Sequence, residues 1–198
     1  MEVRLSDFAA ITGAKVDAIR NAIRHNKLPF VDANRQNAET RDKLSRRTYS
    51  PADAFGWFLQ ERLSTALGFG SWGAANRLQS AWPRGLSWYI RDRFDGKPTG
   101  DIYLIFAEGL PTVDGIFTGL QERASHSVVG ASAFAEDLRS RYAFVTSIHL
   151  DAIFDLFVKV TEARGWTVSA DGFDEVPGNA GARARMLARE AENKGALS

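Results

Sequence analysis

The sequence contains no cysteine, which excludes disulfide bonds and thiolate metal ligands. It also lacks an apolar run long enough to span a bilayer, and its start, Met-Glu-Val-Arg, lacks the apolar core of a secretory signal. No charge of one sign dominates, since the formal net charge is +1. These absences predict a cytoplasmic protein without a membrane partner.

What is present begins with a pattern typical of two short helices joined by a tight turn. Leu5, Phe8 and Ile11 recur at helical spacing, and Ser6 is expected to cap the first turn. Gly13 allows the left-handed backbone that such a turn needs without a steric penalty. The pattern favours a helix-turn-helix, although a plain helical hairpin with solvated charges has the same spacing.

The second of these helices has a narrow apolar stripe formed by Val16, Ile19 and Ile23. The polar residues that point away from this stripe or flank it are Lys15, Asp17, Arg20, Asn21 and Arg24. Arginine reads guanine edges, asparagine reads adenine, and lysine or arginine also contacts phosphate. We therefore expect these five residues to bind double-stranded DNA, with the second helix in the major groove.

A locally basic segment follows, although the whole chain is nearly neutral. Between Lys15 and Arg47 there are nine basic and four acidic residues, a positive excess of five. Residues 32–45 are polar and predict an exposed loop between two short strands, Phe30–Val31 and Arg46–Tyr49. Two strands around a basic loop are typical of a wing that lies along the DNA backbone. The DNA contacts expected from this wing are Arg35, Arg46, Arg47 and Tyr49.

The segment after the wing has a strong helix start. Ser50 can cap, Pro51 can take the first helical position, and Asp53 places negative charge at the positive end of the helix. The apolar spacing then continues to an end near Gly68.

This order of elements resembles the MerR-type winged helix-turn-helix, which phage excisionases share more loosely. The matching segments are Leu5–Gly13, Val16 with Ile19–Arg20, Leu28–Pro29, Arg47, and Tyr49–Asp53. The resemblance covers about the first third of the chain. It implies that the second helix enters the major groove through Arg20 and Arg24, while Arg47 and Tyr49 grip the backbone.

Regulators of this family continue into a long helix that pairs two subunits. Here Gly68, Gly70 and Gly73 interrupt the chain instead, and glycine is a poor helix residue. We therefore expect a homodimer, if one forms, to assemble through the C-terminal part of the chain.

The remainder predicts a small α+β domain. The expected elements begin with a helix over 71–82, a break at 83–85 and a short helix or turn before Asp95. Strands are expected over 101–107, 125–129 and 142–150, with a further strand near 113–117 and a short helix over 134–141. A helix capped by Asp151 and a strand from Trp166 complete the domain. Residues 169–178 appear as an acidic, turn-rich segment. The predicted organisation is a winged domain over 1–67, an α+β self-association or sensing domain over 68–168, and a flexible tail over 169–198.

Few residues suggest catalysis. His149 and Asp151 have the spacing of an acid–base or metal pair, but a helix cap and a strand end explain them better. The segment Gly68–Gly73 lacks the Lys-Ser/Thr of a phosphate-binding loop. We expect no catalytic residue, metal or cofactor. A band of aromatic residues lies between positions 72 and 94: Trp72, Trp82, Trp88, Tyr89 and Phe94. Two interpretations of this aromatic band stay open, dense packing or a ligand pocket.

The sequence thus predicts a sequence-specific DNA-binding transcriptional regulator of bacterial or phage type. The alternative is an excisionase-like architectural factor or an antitoxin that uses the same DNA-binding domain. A small enzyme with a DNA-binding appendage has the least support.

Overall fold

The computed structural model describes residues 2–30, 47–68, 70–97, 102–109, 123–130 and 144–176. Its α-helices are α1 (Leu5–Thr12), α2 (Val16–Arg24), α3 (Pro51–Leu67), α4 (Gly70–Ala81), α5 (Leu86–Phe94) and α6 (Leu150–Ala163), and a 3-10 turn spans Trp82–Arg84. Its strands are β1 (Val3–Arg4), β2 (Thr48–Tyr49), β3 (Ile102–Gly109), β4 (Arg123–Gly130), β5 (Phe144–His149), β6 (Trp166–Ser169) and β7 (Gly172–Glu175). The fold is α+β, as predicted.

The strands form three small antiparallel sheets. The largest has the order β4-β3-β5, and its strands fall where the sequence predicted them. The predicted elements near 113–117 and 134–141 lie outside the described residues. The N-terminal sheet has two strands, in which β2 pairs with β1 and Tyr49 lies opposite Val3.

The pairing of β2 corrects one prediction. Phe30 was expected to begin the strand opposite β2, but its ring lies in the core, 6.4 Å from the Phe8 ring and 6.2 Å from the Trp82 ring between centroids. Val31 lies outside the described residues. Burial of the Phe30 ring between two other rings removes more apolar surface from water than an exposed wing strand could.

Helix α1 begins directly after β1, and this corrects the predicted cap. Arg4 occupies the N-cap position with an extended backbone, and Ser6 lies inside the helix. Strand pairing of Arg4 fixes the extended conformation that precedes the helix, so the helix starts without a side-chain cap. The predicted left-handed turn is confirmed, since Gly13 ends α1 with a φ of 72°.

Helix α3 starts as predicted, with a complete capping box. The Asp53 amide donates to Ser50 Oγ (3.2 Å), the Ser50 amide donates to Asp53 Oδ2 (2.8 Å), and Pro51 takes the first helical position. The helix ends at Leu67, where Gly68 has a φ of 66°. The chain therefore turns at this glycine instead of continuing one long helix into α4.

Helix α3 is the central element of the core. Its Phe55 ring lies 5.2 Å from Phe154 and 5.5 Å from Phe157 of α6, while its Trp57 ring lies 6.3 Å from Phe8 of α1. One buried cluster extends from Val3 to Phe173. The division at residue 67 stays a prediction, but the described parts on either side of it share this core.

The C-terminal described segment corrects the predicted turn-rich stretch and flexible tail. Residues 172–175 form β7 and pair with β6. Phe173 is fully buried, and this single aromatic residue explains why an otherwise acidic segment folds back as a strand. Residues 177–198, the rest of the predicted tail, lie outside the described residues.

Candidate nucleic-acid interface

Helix α2 separates an apolar face from a polar one, as its sequence pattern predicted. Ile19 and Ala22 are buried, and Val16 and Ile23 are partly buried against the core. The predicted outer-face residues are all exposed: Lys15, Asp17, Arg20, Asn21 and Arg24. The structure therefore brings these five residues onto one accessible surface, which we call the α2 face.

The α2 face is basic with one internal ion pair. Arg20 Nη1 lies 3.2 Å from Asp17 Oδ1, one helical turn away, and the two side chains are 51% and 85% exposed. An exposed pair of this kind contributes between zero and about 1 kcal/mol. Its weakness leaves the Arg20 guanidinium free to exchange Asp17 for an external anion.

The residues predicted on the wing have different outcomes. Arg35 and Arg46 lie outside the described residues, and Arg47 is partly buried next to β2. Tyr49 is only 2% exposed, and its ring stacks on Phe8 with a centroid distance of 4.3 Å. The predicted DNA contact by the Tyr49 side chain is therefore corrected, since its ring belongs to the core beneath the helices.

One residue near the turn gave no sequence signal. Arg164, which follows α6, donates from Nη1 to the Ile11 carbonyl at 2.7 Å. Burial lowers the pKa of Arg164 below that of free arginine; the nearby Glu61 opposes this effect and Arg62 adds to it. The guanidinium lies against Gly13, so it fixes the α1–α2 turn to the far end of the chain. Donor and acceptor are separated by 153 positions in the sequence, so no local pattern reveals this bond.

A cleft of about 490 Å³ opens beside the α2 face, between α2, α3 and α4. Helix α2 contributes Ala18, Asn21 and Ala22 to its wall. The remaining lining residues are Lys27, Trp57, Gln60, Glu61, Ser64, Thr65, Ser71 and Trp72. Asn21 thus belongs both to the α2 face and to this cleft, which the sequence did not predict.

The sequence left two interpretations of the aromatic band open, dense packing or a ligand pocket, and its members differ in exposure. Trp82 and Tyr89 are buried, whereas Trp72 is 57% and Trp88 56% exposed. Trp72 lies at the cleft with its ring centroid 5.4 Å from the His25 ring and 5.7 Å from Lys27 Nζ. Packing therefore accounts for part of the band, and Trp72 presents an aromatic surface to solvent.

In the His149–Asp151 pair, Asp151 is the residue that joins several elements, and we call its set of contacts the Asp151 hub. Helix α6 has no side-chain cap, so the predicted capping role of Asp151 is wrong. Its Oδ1 accepts a hydrogen bond from the Tyr89 hydroxyl and its Oδ2 accepts one from the Ile102 amide, both at 3.0 Å. His149 Nε2 lies 4.0 Å from Asp151 Oδ2. These contacts connect α5, β3 and α6.

This hub predicts a loss of stability at high pH. Burial, together with the Asp151 carboxylate, raises the pKa of Tyr89 well above the ordinary value of 10.0. Above pH 10 the unfolded tyrosine ionises while the folded one keeps its proton, so the stability supplied by the Tyr89 proton falls as pH rises. We expect Tyr89 to lower the free energy of unfolding by up to about 1.4 kcal/mol per pH unit, and Tyr89→Phe to make the decrease with pH smaller by that amount. Urea unfolding from pH 8 to about pH 11 measures it; an equal slope in both proteins would contradict the assignment.

Two further findings concern the described residues as a set. They contain no group of three histidine, aspartate or glutamate residues placed to hold a metal ion. None of their helices combines the length and the apolar character needed to cross a membrane.

Comparison with protein families, curated proteins and solved structures gives no match to this chain.

Proposed function

We propose that this protein is a sequence-specific DNA-binding regulator of bacterial or phage type, in which α1 and α2 act as the helix-turn-helix of a winged domain. The observation that carries the proposal is the α2 face. A helix held to the core by one stripe exposes three basic residues and an asparagine directly after a tight glycine turn.

The size and chemistry of α2 suit the major groove. An α-helix with its side chains is about 10–12 Å across, which fits the major-groove width of about 12 Å, and the nine residues of α2 give a helix of a little over two turns. Asn21 has the donor and acceptor that pair with adenine, and Arg24 has the fork that pairs with guanine. Lys15, at the start of the helix, is suited to a phosphate contact. Asp17 holds Arg20 in position until DNA competes for it.

The proposed wing is the segment that leads into β2, with Arg35, Arg46 and Arg47 on the DNA backbone. Basic residues that touch phosphate add affinity for every sequence and make binding depend on salt. For self-association we propose the sheet β4-β3-β5, because its outer strands β4 and β5 each have one edge that lacks a strand partner among the described residues. Two-fold pairing is the commonest way in which such edges are covered.

Substitution of Asn21 by alanine tests whether the α2 face reads bases. We expect Asn21→Ala to lose about 1–3 kcal/mol on the best site and little on random DNA, so that preference relaxes at one or two base pairs. Selection from a randomised duplex library measures both quantities. Thr167→Ala, a change at an exposed polar residue of β6, is the control and should keep the wild-type preference.

An unchanged site preference in Asn21→Ala would mean that this face docks without reading sequence. The symmetry of the selected site also separates the two functions that share this domain. A palindrome indicates a dimeric regulator, whereas direct repeats indicate an excisionase-like architectural factor.

A further inference from the structure

The end of helix α1 is held by a residue from the C-terminal part of the chain. Arg164 Nη1 donates to the Ile11 carbonyl at 2.7 Å. Ile11 is among the last four residues of α1, whose carbonyls have no partner within an α-helix. The last turn of α1 contains no basic residue of its own, so Arg164 also supplies the positive charge that the negative end of a helix dipole favours. Arg164 therefore caps α1 from a distant element.

The backbone of Arg164 is anchored on both sides. Its amide donates to the Val160 and Thr161 carbonyls at 3.2 and 3.1 Å, at the end of α6. The next residue, Gly165, has a φ of 87°, and its carbonyl accepts from the Val176 amide at 2.9 Å, directly after β7. The guanidinium thus projects from the junction of α6 with the β6–β7 hairpin, and these elements fix its position at the α1–α2 turn.

Helix α2 is attached to the rest of the protein near its two ends. After its C-terminal end, Gln79 of α4 donates from Nε2 to the Asn26 and Leu28 carbonyls at 3.3 and 2.6 Å. At its N-terminal end α2 follows the Gly13 turn, where an added Cβ would lie 2.7 Å from Arg164 Cζ, so the guanidinium lies against the turn itself. Only two of the nine residues of α2 are buried. The direction of α2 therefore depends strongly on these two attachments.

We propose that Arg164 is a positioning residue for the α2 face: it holds the end of α1 and thereby sets the direction in which α2 presents Asn21 and Arg24 to DNA. This inference rests on the proposed function. Base reading needs side chains placed to within about 0.5 Å, because hydrogen bonds to base edges are directional. A small rotation of α2 therefore removes sequence preference, whereas attraction to phosphate, which carries no sequence information, changes little. Sequence reading then depends on α6 and the β6–β7 hairpin as well as on α1 and α2.

Arg164→Met tests this role, because methionine keeps much of the apolar stem and removes the charge and the donors. Affinities for a selected duplex and for random DNA are measured by fluorescence anisotropy over a salt series. We expect Arg164→Met to lose about tenfold on the selected duplex, to stay within about twofold of the wild type on random DNA, and to keep the salt slope. An arginine that touches phosphate would instead weaken binding to all sequences alike and reduce the slope by about one unit.

Arg62→Met is the matched control. Arg62 is exposed on α3, its guanidinium lies 4.9 Å from the Phe58 ring centroid, and its charge adds to the effect of burial in lowering the pKa of Arg164. The variant makes the same chemical change at this neighbouring arginine and should bind both DNAs like the wild type. Arg164→Lys keeps the charge and a donor, so it should restore the affinity for the selected duplex to within about threefold of the wild type.

Hydrogen exchange without DNA supplies a readout of the turn itself. The Ala14 amide donates to Thr12 Oγ1 at 3.4 Å, and the Ala18 amide donates to the Lys15 carbonyl at 2.9 Å. In Arg164→Met both amides should exchange about tenfold faster relative to the amides of α5, and in Arg62→Met they should not. If Arg164→Met does not fold, Arg164→Gln takes its place, since its side chain is uncharged and two bonds shorter, and the same losses are expected.

The proposed function and the role of Arg164 fail in different ways. A wild-type chain that prefers no sequence overturns the proposed function and the role of Arg164 with it. If the wild type shows a preference and Arg164→Met keeps it, the role of Arg164 alone is overturned, whatever the exchange rates at the turn. An equal loss on selected and random DNA, or an equal loss in Arg62→Met, also overturns it.

Discussion

Arg20→Glu combined with Arg24→Glu should abolish specific DNA binding. Both side chains are exposed on the α2 face, so the double change reverses two charges at the proposed contact without disturbing the core. Affinity for the selected site should fall by at least a hundredfold. For the milder Arg20→Ala with Arg24→Ala, the slope of log affinity against log salt should fall by about one unit for each lost phosphate contact. Fluorescence anisotropy over a salt series measures both effects.

Two further variants test whether the effect is specific to the α2 face: one is a charge-reversal control on another helix, and the other removes the acidic partner of Arg20. Arg91→Glu reverses an exposed arginine of α5, whose side chain is 63% exposed, and should leave DNA binding near the wild type. Asp17→Asn removes the acid that pairs with Arg20, so it should raise affinity while site preference stays the same. If Arg91→Glu weakens binding as much as the double variant, the effect is one of total charge and the α2 face is not the interface.

Gly13→Ala, at the α1–α2 turn, should lower the free energy of unfolding by about 2.5–5 kcal/mol. The backbone φ of 72° is strained for any residue with a Cβ, at a cost of about 1–2 kcal/mol. A Cβ at this position would also lie 2.7 Å from Cζ of Arg164, so the guanidinium must move and lose its bond to Ile11. A hydrogen bond from a charged donor adds about 1.5–3 kcal/mol.

Gly68→Ala provides a control with the same backbone strain. Gly68 has a φ of 66° and no atom within 4 Å of an added Cβ, so its substitution should cost only the backbone part, about 1–2 kcal/mol. The difference between the two variants isolates the Arg164 contact. In an Arg164→Met background Gly13→Ala should then cost no more than Gly68→Ala does in the wild type. Chemical denaturation of the wild type, the three single variants and the double variant measures these costs. Equal costs in the wild-type background would rule out a role for this contact.

Local patterns in the sequence predicted those elements whose cause is local. The Ser50 cap with Asp53 depends on residues three apart, the Gly13 turn depends on one residue, and the stripe of Val16, Ile19 and Ile23 follows the helical period. These predictions are confirmed, and with them the exposure of Arg20, Asn21 and Arg24. Once the buried stripe of α2 is identified, the residues on the opposite, exposed face of the helix are fixed by the helical period.

The errors have one physical origin, which is competition for the core by distant residues. Phe30 was predicted to begin a strand, but its ring packs between Phe8 and Trp82 in the core. Tyr49 faces inward because its register opposite the buried Val3 directs it to the core. Such outcomes depend on which apolar groups meet in space, and propensity within a short window does not contain that information.

The sequence by itself therefore determined the two N-terminal helices, their turn, the start of α3 and the basic outer face of α2, because each is caused by neighbours within a few residues. Only the tertiary structure decided that Arg164 holds the turn, that Asp151 joins α5, β3 and α6, and that Asn21 borders a cleft formed with α3 and α4. Each of these contacts joins elements far apart in the chain, and their partners are chosen by packing geometry rather than by periodicity.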